Sequence, residues 1–205
     1  VDDRIYLRGV TGIVDELVAS ADVSSEIRII QTIAVNQLDD VDLGGEALGN
    51  INISSGSQAF IGSEEQLYLN VVTTVDELRL KTGAGISGVA SGTATNIVSG
   101  NLILEAATST IGSAVDPIRT NLLGTGSLTA RASGDIYIVE VDNTYLETIY
   151  SRSGKVYIEA TGGSIYDGLN HEFTNITANR IELAVGADIG TAVNHVDLDV
   201  IGTGT

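Results

Sequence analysis

Ile111-Gly112-Ser113-Ala114-Val115-Asp116-Pro117-Ile118 returns further along the chain as Ile189-Gly190-Thr191-Ala192-Val193-Asn194-His195-Val196. A fainter copy, Ala34-Val35-Asn36-Gln37-Leu38-Asp39, precedes both. The alanines that open the shared phrase, Ala34, Ala114 and Ala192, are almost evenly spaced. Their surroundings follow suit: Gly124-Thr125-Gly126 matches Gly202-Thr203-Gly204, and Tyr68-Leu69 corresponds to Tyr145-Leu146. Self-similarity at a fixed spacing marks stacked repeat architectures, in which one unit cannot bury its apolar face without neighbours. A sandwich or barrel would also show short strands, but has no reason to repeat such a phrase at constant separation.

Between the copies run short alternating segments: Ile51-Asn52-Ile53, Leu67-Tyr68-Leu69, Leu78-Arg79-Leu80, Ile136-Tyr137-Ile138, Val156-Tyr157-Ile158, Ile181-Glu182-Leu183 and Val196-Asp197-Leu198. Two aliphatics flanking an outward residue are the period-two sign of a strand with one buried face. Ser54-Ser55-Gly56, Thr82-Gly83-Ala84-Gly85, Ser133-Gly134 and Thr161-Gly162-Gly163 read as corners. Gly12 to Ala21 has helical spacing, yet its Val14-Asp15-Glu16-Leu17 recurs as Val75-Asp76-Glu77-Leu78 in a strand context, so it too reads as strand. The fold expected is all-β: a parallel β-helix of about ten coils of roughly twenty residues, about four coils to a repeat. It forms one segment over residues 1–205, with a partial repeat at 1–48 and fuller ones at 49–126 and 127–205.

Composition agrees. Ile, Val, Leu and Ala dominate, Phe occurs twice, and Met, Trp and Cys never occur. Narrow coils need such small and medium shapes, whereas an ordinary globular core recruits large aromatics. The 24 glycines suit many corners, and a single proline suits uninterrupted ladders. The absence of cysteine excludes a disulfide framework, a thiolate metal site and a thiol nucleophile. Ten basic against 27 acidic residues give a net charge of −17. That balance speaks against nucleic acid and anionic membrane as partners, and for solubility by self-repulsion or attraction of divalent cations. No apolar run is long enough for a membrane span. Val1-Asp2-Asp3 carries neither a starting Met nor a signal pattern, and Ile201-Gly202-Thr203-Gly204-Thr205 stops within the repeat, as in a piece of something longer.

Gly134-Asp135-Ile136-Tyr137-Ile138, Gly154-Lys155-Val156-Tyr157-Ile158-Glu159-Ala160-Thr161-Gly162-Gly163-Ser164-Ile165-Tyr166-Asp167-Gly168 and Ala178-Asn179-Arg180-Ile181-Glu182-Leu183 resemble the repeat region of filamentous-haemagglutinin-like bacterial exoproteins. The resemblance is clearest from about Asn101 to Thr205. It implies a right-handed β-helix, export to the bacterial surface, and a stalk, adhesin or filament role. The implied partners are further coils of the same chain or identical subunits end to end, and a glycan or host-surface ligand. The chain lacks the family's amino-terminal secretion domain, and the resemblance brings no catalytic residue.

Chemistry-bearing groups are few. Asp39, Asp40 and Asp42 cluster, and Asp197 and Asp199 occupy the matching place in a later copy. Carboxylates with corner carbonyls suit calcium, but Arg119 and Asn121 interrupt the series and no calcium-loop motif is present. Solvated strand faces are the simpler reading. Paired carboxylates could also cleave polysaccharides on a β-helix. The nearest basic pairs, Arg79 with Lys81 and Arg152 with Lys155, have no evident carboxylate set, so no catalysis is expected. His171 and His195 occupy different parts of the repeat, against a zinc site. Tyr137, Tyr145, Tyr150, Tyr157 and Tyr166 fall in one stretch, and the step from Tyr137 to Tyr157 matches one coil. Those two are expected to stack on an outward face, either bracing the sheet or binding glycans. Asn36, Asn96, Asn101, Asn175, Asn179 and Asn194 suit left-handed corners or hydrogen-bonded ladders.

Overall fold

The computed structural model describes residues 4–8, 16–30, 50–63, 66–89, 92–169 and 171–202. Among them the chain forms strands and no helix. The strands are β1 (Arg4–Arg8), β2 (Glu16–Ile30), β3 (Asn50–Ser63), β4 (Leu67–Thr74), β5 (Glu77–Thr82), β6 (Ile86–Gly88), β7 (Ile97–Ser99), β8 (Asn101–Ala106) and β9 (Ile118–Leu122). They continue as β10 (Ser127–Ala132), β11 (Ile136–Glu140), β12 (Thr144–Ser151), β13 (Lys155–Ala160), β14 (Ile165–Asp167), β15 (Ile176–Ala178), β16 (Arg180–Val185) and β17 (Leu198–Val200). All pairings are parallel, and each strand pairs with the strand one turn away. The molecule is a parallel β-solenoid.

From β3 onward the pairings sort into two ladders. The first half of β3 pairs with β4, β4 with β6 and β7, β7 with β9, and then β11, β13 and β16 follow. Bridges from Ile86 to Ile111 and from Ile111 to Ile136 complete this first ladder. The second half of β3 begins the other ladder, which runs through β5, β8, β10 and β12 to β14 with β15, and to β17. The chain changes ladder at every half turn. Residues expected to form a corner at Ser54-Ser55-Gly56 lie inside β3, which bends from one ladder to the other without leaving the strand. Of the segment with helical spacing, Leu17 and Val18 belong to β2, while Ile13 and Val14 lie outside the described residues.

Alternation fills the space between the ladders. Leu78, Leu102 and Leu128 stack in register, as do Ile118, Ile138 and Ile158, and all are fully buried. Every residue of the apolar core is Ile, Leu, Val or Ala. Burying one such branched side chain contributes about 1.5–3 kcal/mol, and the stack repeats it at every rung. The aliphatic composition is thus the composition of the lumen.

The expected ten coils of equal, short length are corrected to about six turns. Turn length varies along the rod. From β3 onward, Leu128 with Leu146 is among the register pairs closest in sequence, whereas Ile149 with Ile176 is the most widely separated. The long turns arise because corner segments, such as the one between Ile111 and β9 or the one that precedes β15, loop away from the ladders. A repeat therefore does not hold four whole coils. β4 divides into β6 and β7 one rung later, and β12 divides into β14 and β15 in the same way. Between β4 and β12 the chain crosses from ladder to ladder seven times, so one repeat spans three and a half turns. Successive copies consequently stand on opposite ladders.

The phrase that reveals the repeat is a corner. Gly112 and Gly190 take positive φ of 65° and 67°. Ser113 N–H then donates to Asp116 O at 3.0 Å, while Ser113 Oγ accepts from Asp116 N–H at 3.0 Å. Thr191 and Asn194 repeat both bonds, at 2.7 and 2.9 Å. Val115 and Val193 stand at the tips, 83% and 92% exposed. Asn96 and Asn175 form the other repeated device. Asn96 Nδ2 donates to Leu69 O on one neighbouring rung, and its Oδ1 accepts from Arg119 N–H on the other, at 3.1 and 3.0 Å. Asn175 does the same with Leu146 O and Asp197 N–H, at 3.0 and 2.9 Å. Each buried asparagine satisfies backbone groups where a looped-out segment interrupts the ladder.

Candidate functional site

Tyr137 on β11 and Tyr157 on β13 are register partners on the first ladder. Their rings lie 5.9 Å apart between centroids at a 33° tilt, a packed aromatic pair. Lys155 Nζ sits 5.4 and 5.2 Å from the two centroids, within cation–π range. That ammonium also meets Glu182 Oε2 at 2.7 Å, and Arg180 meets the same carboxylate oxygen at 3.5 Å. The Lys155 hydrogen bond, with both neighbouring cations, holds the Glu182 carboxyl below its ordinary range. Tyr157 Oη donates to Glu159 Oε2 at 2.6 Å. This bond, partial burial and the nearby carboxylates push the phenol up to about 12.

The Ser113–Asp116 corner flanks the pair, so that Val115, Pro117, Arg119, Tyr137, Tyr157 and Glu159 line an open groove of about 330 Å³. Arg119 Nε is engaged with Gly92 O at 3.2 Å. The groove thus offers aromatic faces, apolar corner atoms and a carboxylate, with its lysine already paired. Such a surface suits the C–H face and hydroxyls of a sugar ring.

The five clustered tyrosines do not share one face. Tyr145 and Tyr166 pair on the second ladder, with ring centroids 5.1 Å apart, and Tyr150 lies on that ladder beside Arg131. Asp197 N–H donates to the Asn175 side chain, and Asp199 is exposed on β17 opposite Thr177. Asp39, Asp40 and Asp42 lie outside the described residues. Among the described residues no group of three or more His, Asp or Glu side chains is placed to hold a metal ion. His171 packs edge-on against Phe173 at 4.2 Å, and His195 is exposed just after the Thr191–Asn194 corner.

Sequence reading passed over Glu140. It is fully buried, in register with Thr120, at an inward position that would otherwise be aliphatic. Thr120 Oγ1 donates to Oε2 at 2.6 Å, and Leu122 and Val141 N–H both donate to Oε1 at 3.0 Å. Burial nevertheless dominates and raises its carboxyl above the ordinary value. A raised native value means that folded chains keep a proton which unfolded chains release. Glu140's contribution to stability is therefore full below the ordinary carboxylate value and falls as pH rises through the native one. Urea midpoints should show this decline in the wild type and a flatter profile in Glu140→Gln, which keeps the acceptor oxygen.

The fold and the site define a parallel β-solenoid with an aromatic groove on one ladder. No family model matches the chain, and no curated protein or solved structure matches it.

Proposed function

We propose that this chain is a stalk or filament segment of an exported bacterial surface protein, a right-handed β-helix that extends by coil stacking and carries no catalysis. The observation that carries this reading is the continuous parallel stacking: from β3 onward each rung pairs with the next along both ladders over one aliphatic lumen, so that coils add along an axis. Leu198 and Val200 on β17, 50% and 53% exposed, are the side chains that such stacking would cover. Unpaired strand edges template strand addition. The likeness of the Gly134 to Gly168 phrases to filamentous-haemagglutinin-like repeats supports export and a surface location. Light scattering and electron microscopy of the wild type should show end-to-end association, and Leu198→Asp with Val200→Asp should return it to single rods. Wild-type chains that stay compact monomers at high concentration would remove the proposal.

A second reading is a glycan-binding module, favoured by the Tyr137–Tyr157 groove. It predicts chemical-shift changes at these rings on titration with neutral oligosaccharides, abolished by Tyr157→Ala.

A further inference from the structure

The second ladder carries a different groove. Lys81 on β5, Glu105 on β8, Arg131 on β10 and Tyr150 on β12 are successive register partners. Parallel rungs about 4.8 Å apart therefore bring these four side chains, distant in sequence, into one outward lane. Arg152 follows directly after β12, its N–H donating to Ala132 O at 3.0 Å. Together they wall a shallow groove of about 300 Å³, floored by Ala106, Ala107 and Ala132.

Its charge is the reverse of the whole chain's. The chain has only ten basic residues against 27 acidic ones, yet Lys81, Arg131 and Arg152 line this groove and Glu105 is its single acidic wall residue. Glu105 is itself neutralised, by Arg79 at 3.4 Å and Lys81 at 3.8 Å. Arg131 and Arg152 are exposed and have no ion-pair partner among the described residues. Both guanidiniums line the same groove with their planar forks available to an anionic group. In the tyrosine groove, by contrast, Lys155 is closed by Glu182 and Arg119 by the Gly92 carbonyl.

We infer that this groove binds a carboxylated sugar, with Arg131 and Arg152 taking the carboxylate and Tyr150 packing against the ring. Planar guanidiniums favour forked hydrogen bonding to a carboxylate, and Tyr150, 39% exposed, offers the apolar face that a sugar's C–H surface requires. The small floor leaves room for a ring, and Thr82 and Ser133 beside it add hydroxyls to the lining. A nucleic acid fits poorly, because a long phosphate chain would run beyond this island of positive charge into a surface of net charge −17.

The test uses tri-galacturonate against its neutral counterpart galactotriose, with a sulfated trisaccharide and a short single-stranded DNA as competitors. Titration calorimetry and amide chemical shifts should show tri-galacturonate binding at residues of the groove and no binding of galactotriose there. Arg131→Ala with Arg152→Ala should weaken it at least tenfold, with an unchanged urea midpoint. Glu105→Gln should tighten it several-fold, because it frees Arg79 and Lys81; a merely structural role for Glu105 would not produce that gain. Equal affinity for galactotriose, no binding of tri-galacturonate, or preference for the sulfated sugar or DNA would overturn the assignment.

Discussion

Leu102→Asp is expected to leave the chain unfolded at room temperature, with no native circular dichroism spectrum and an expanded hydrodynamic radius. Leu102 stands between Leu78 and Leu128 in the second ladder, and all three are fully buried. Truncating a core leucine costs about 2–5 kcal/mol, and an unpaired buried carboxylate adds several kcal/mol more. Domains are stable by only about 5–15 kcal/mol, so the sum removes most or all of the margin. Among the described residues no lysine or arginine is buried where it could pair with the new charge. Ile103→Asp, one residue on, is the control. Its position points outward between Arg79 and Thr129, and the change should cost less than about 1 kcal/mol. A Leu102→Asp protein as stable as the Ile103→Asp protein would show that the lumen is wet or absent.

Gly126→Val is expected to cost about 3 kcal/mol, for a reason other than backbone angle. A Cβ on Gly126 would lie 1.8 Å from Gly100 O, and one on Gly100 would lie 2.3 Å from Asp76 O. Three successive rungs thus stack backbone on backbone at this corner, with nothing that can rotate aside. Overpacking usually costs about 1–3 kcal/mol, and a β-branched side chain against a carbonyl belongs at the upper end. Gly124 lies two residues away with φ of +64° and open space around its missing Cβ. Gly124→Ala should therefore cost only about 1 kcal/mol, through its left-handed backbone. Chemical denaturation of the two variants separates close stacking from conformational strain. Equal losses would mean that the corner can spread.

The strands were legible because the period of two is written locally: Leu78-Arg79-Leu80 and Val156-Tyr157-Ile158 announce their inward and outward faces without help. The repeat was legible as well, but not its meaning. Its strongest phrase marks a corner built on Gly112 and Gly190, and nothing in the even spacing of its copies says that three and a half turns, not four, intervene. Turn length depends on how far segments such as that between β14 and β15 leave the ladders, which short-range pattern does not encode. The pairing of Tyr137 with Tyr157 followed from the length of one short turn, whereas Tyr145 and Tyr150 went to the other ladder because the chain alternates. Glu140 carried a usable signal, an acid at the inward step after Ile136 and Ile138 and just before the Asp142-Asn143 corner. The basic groove had none. Lys81, Arg131 and Arg152 come from well-separated parts of the sequence and meet only through register.

The most direct measurement exploits the absence of cysteine. Ile103→Cys with Thr129→Cys places two thiols at outward register partners of adjacent rungs, where a parallel ladder brings the Cα atoms within disulfide reach of about 4.4–6.8 Å. Mild oxidation should give a near-complete intramolecular bond in this pair and none between Ile103→Cys and Tyr137→Cys, on the opposite ladder. Cross-linking of the second pair, or of neither, would contradict a stacked two-ladder solenoid.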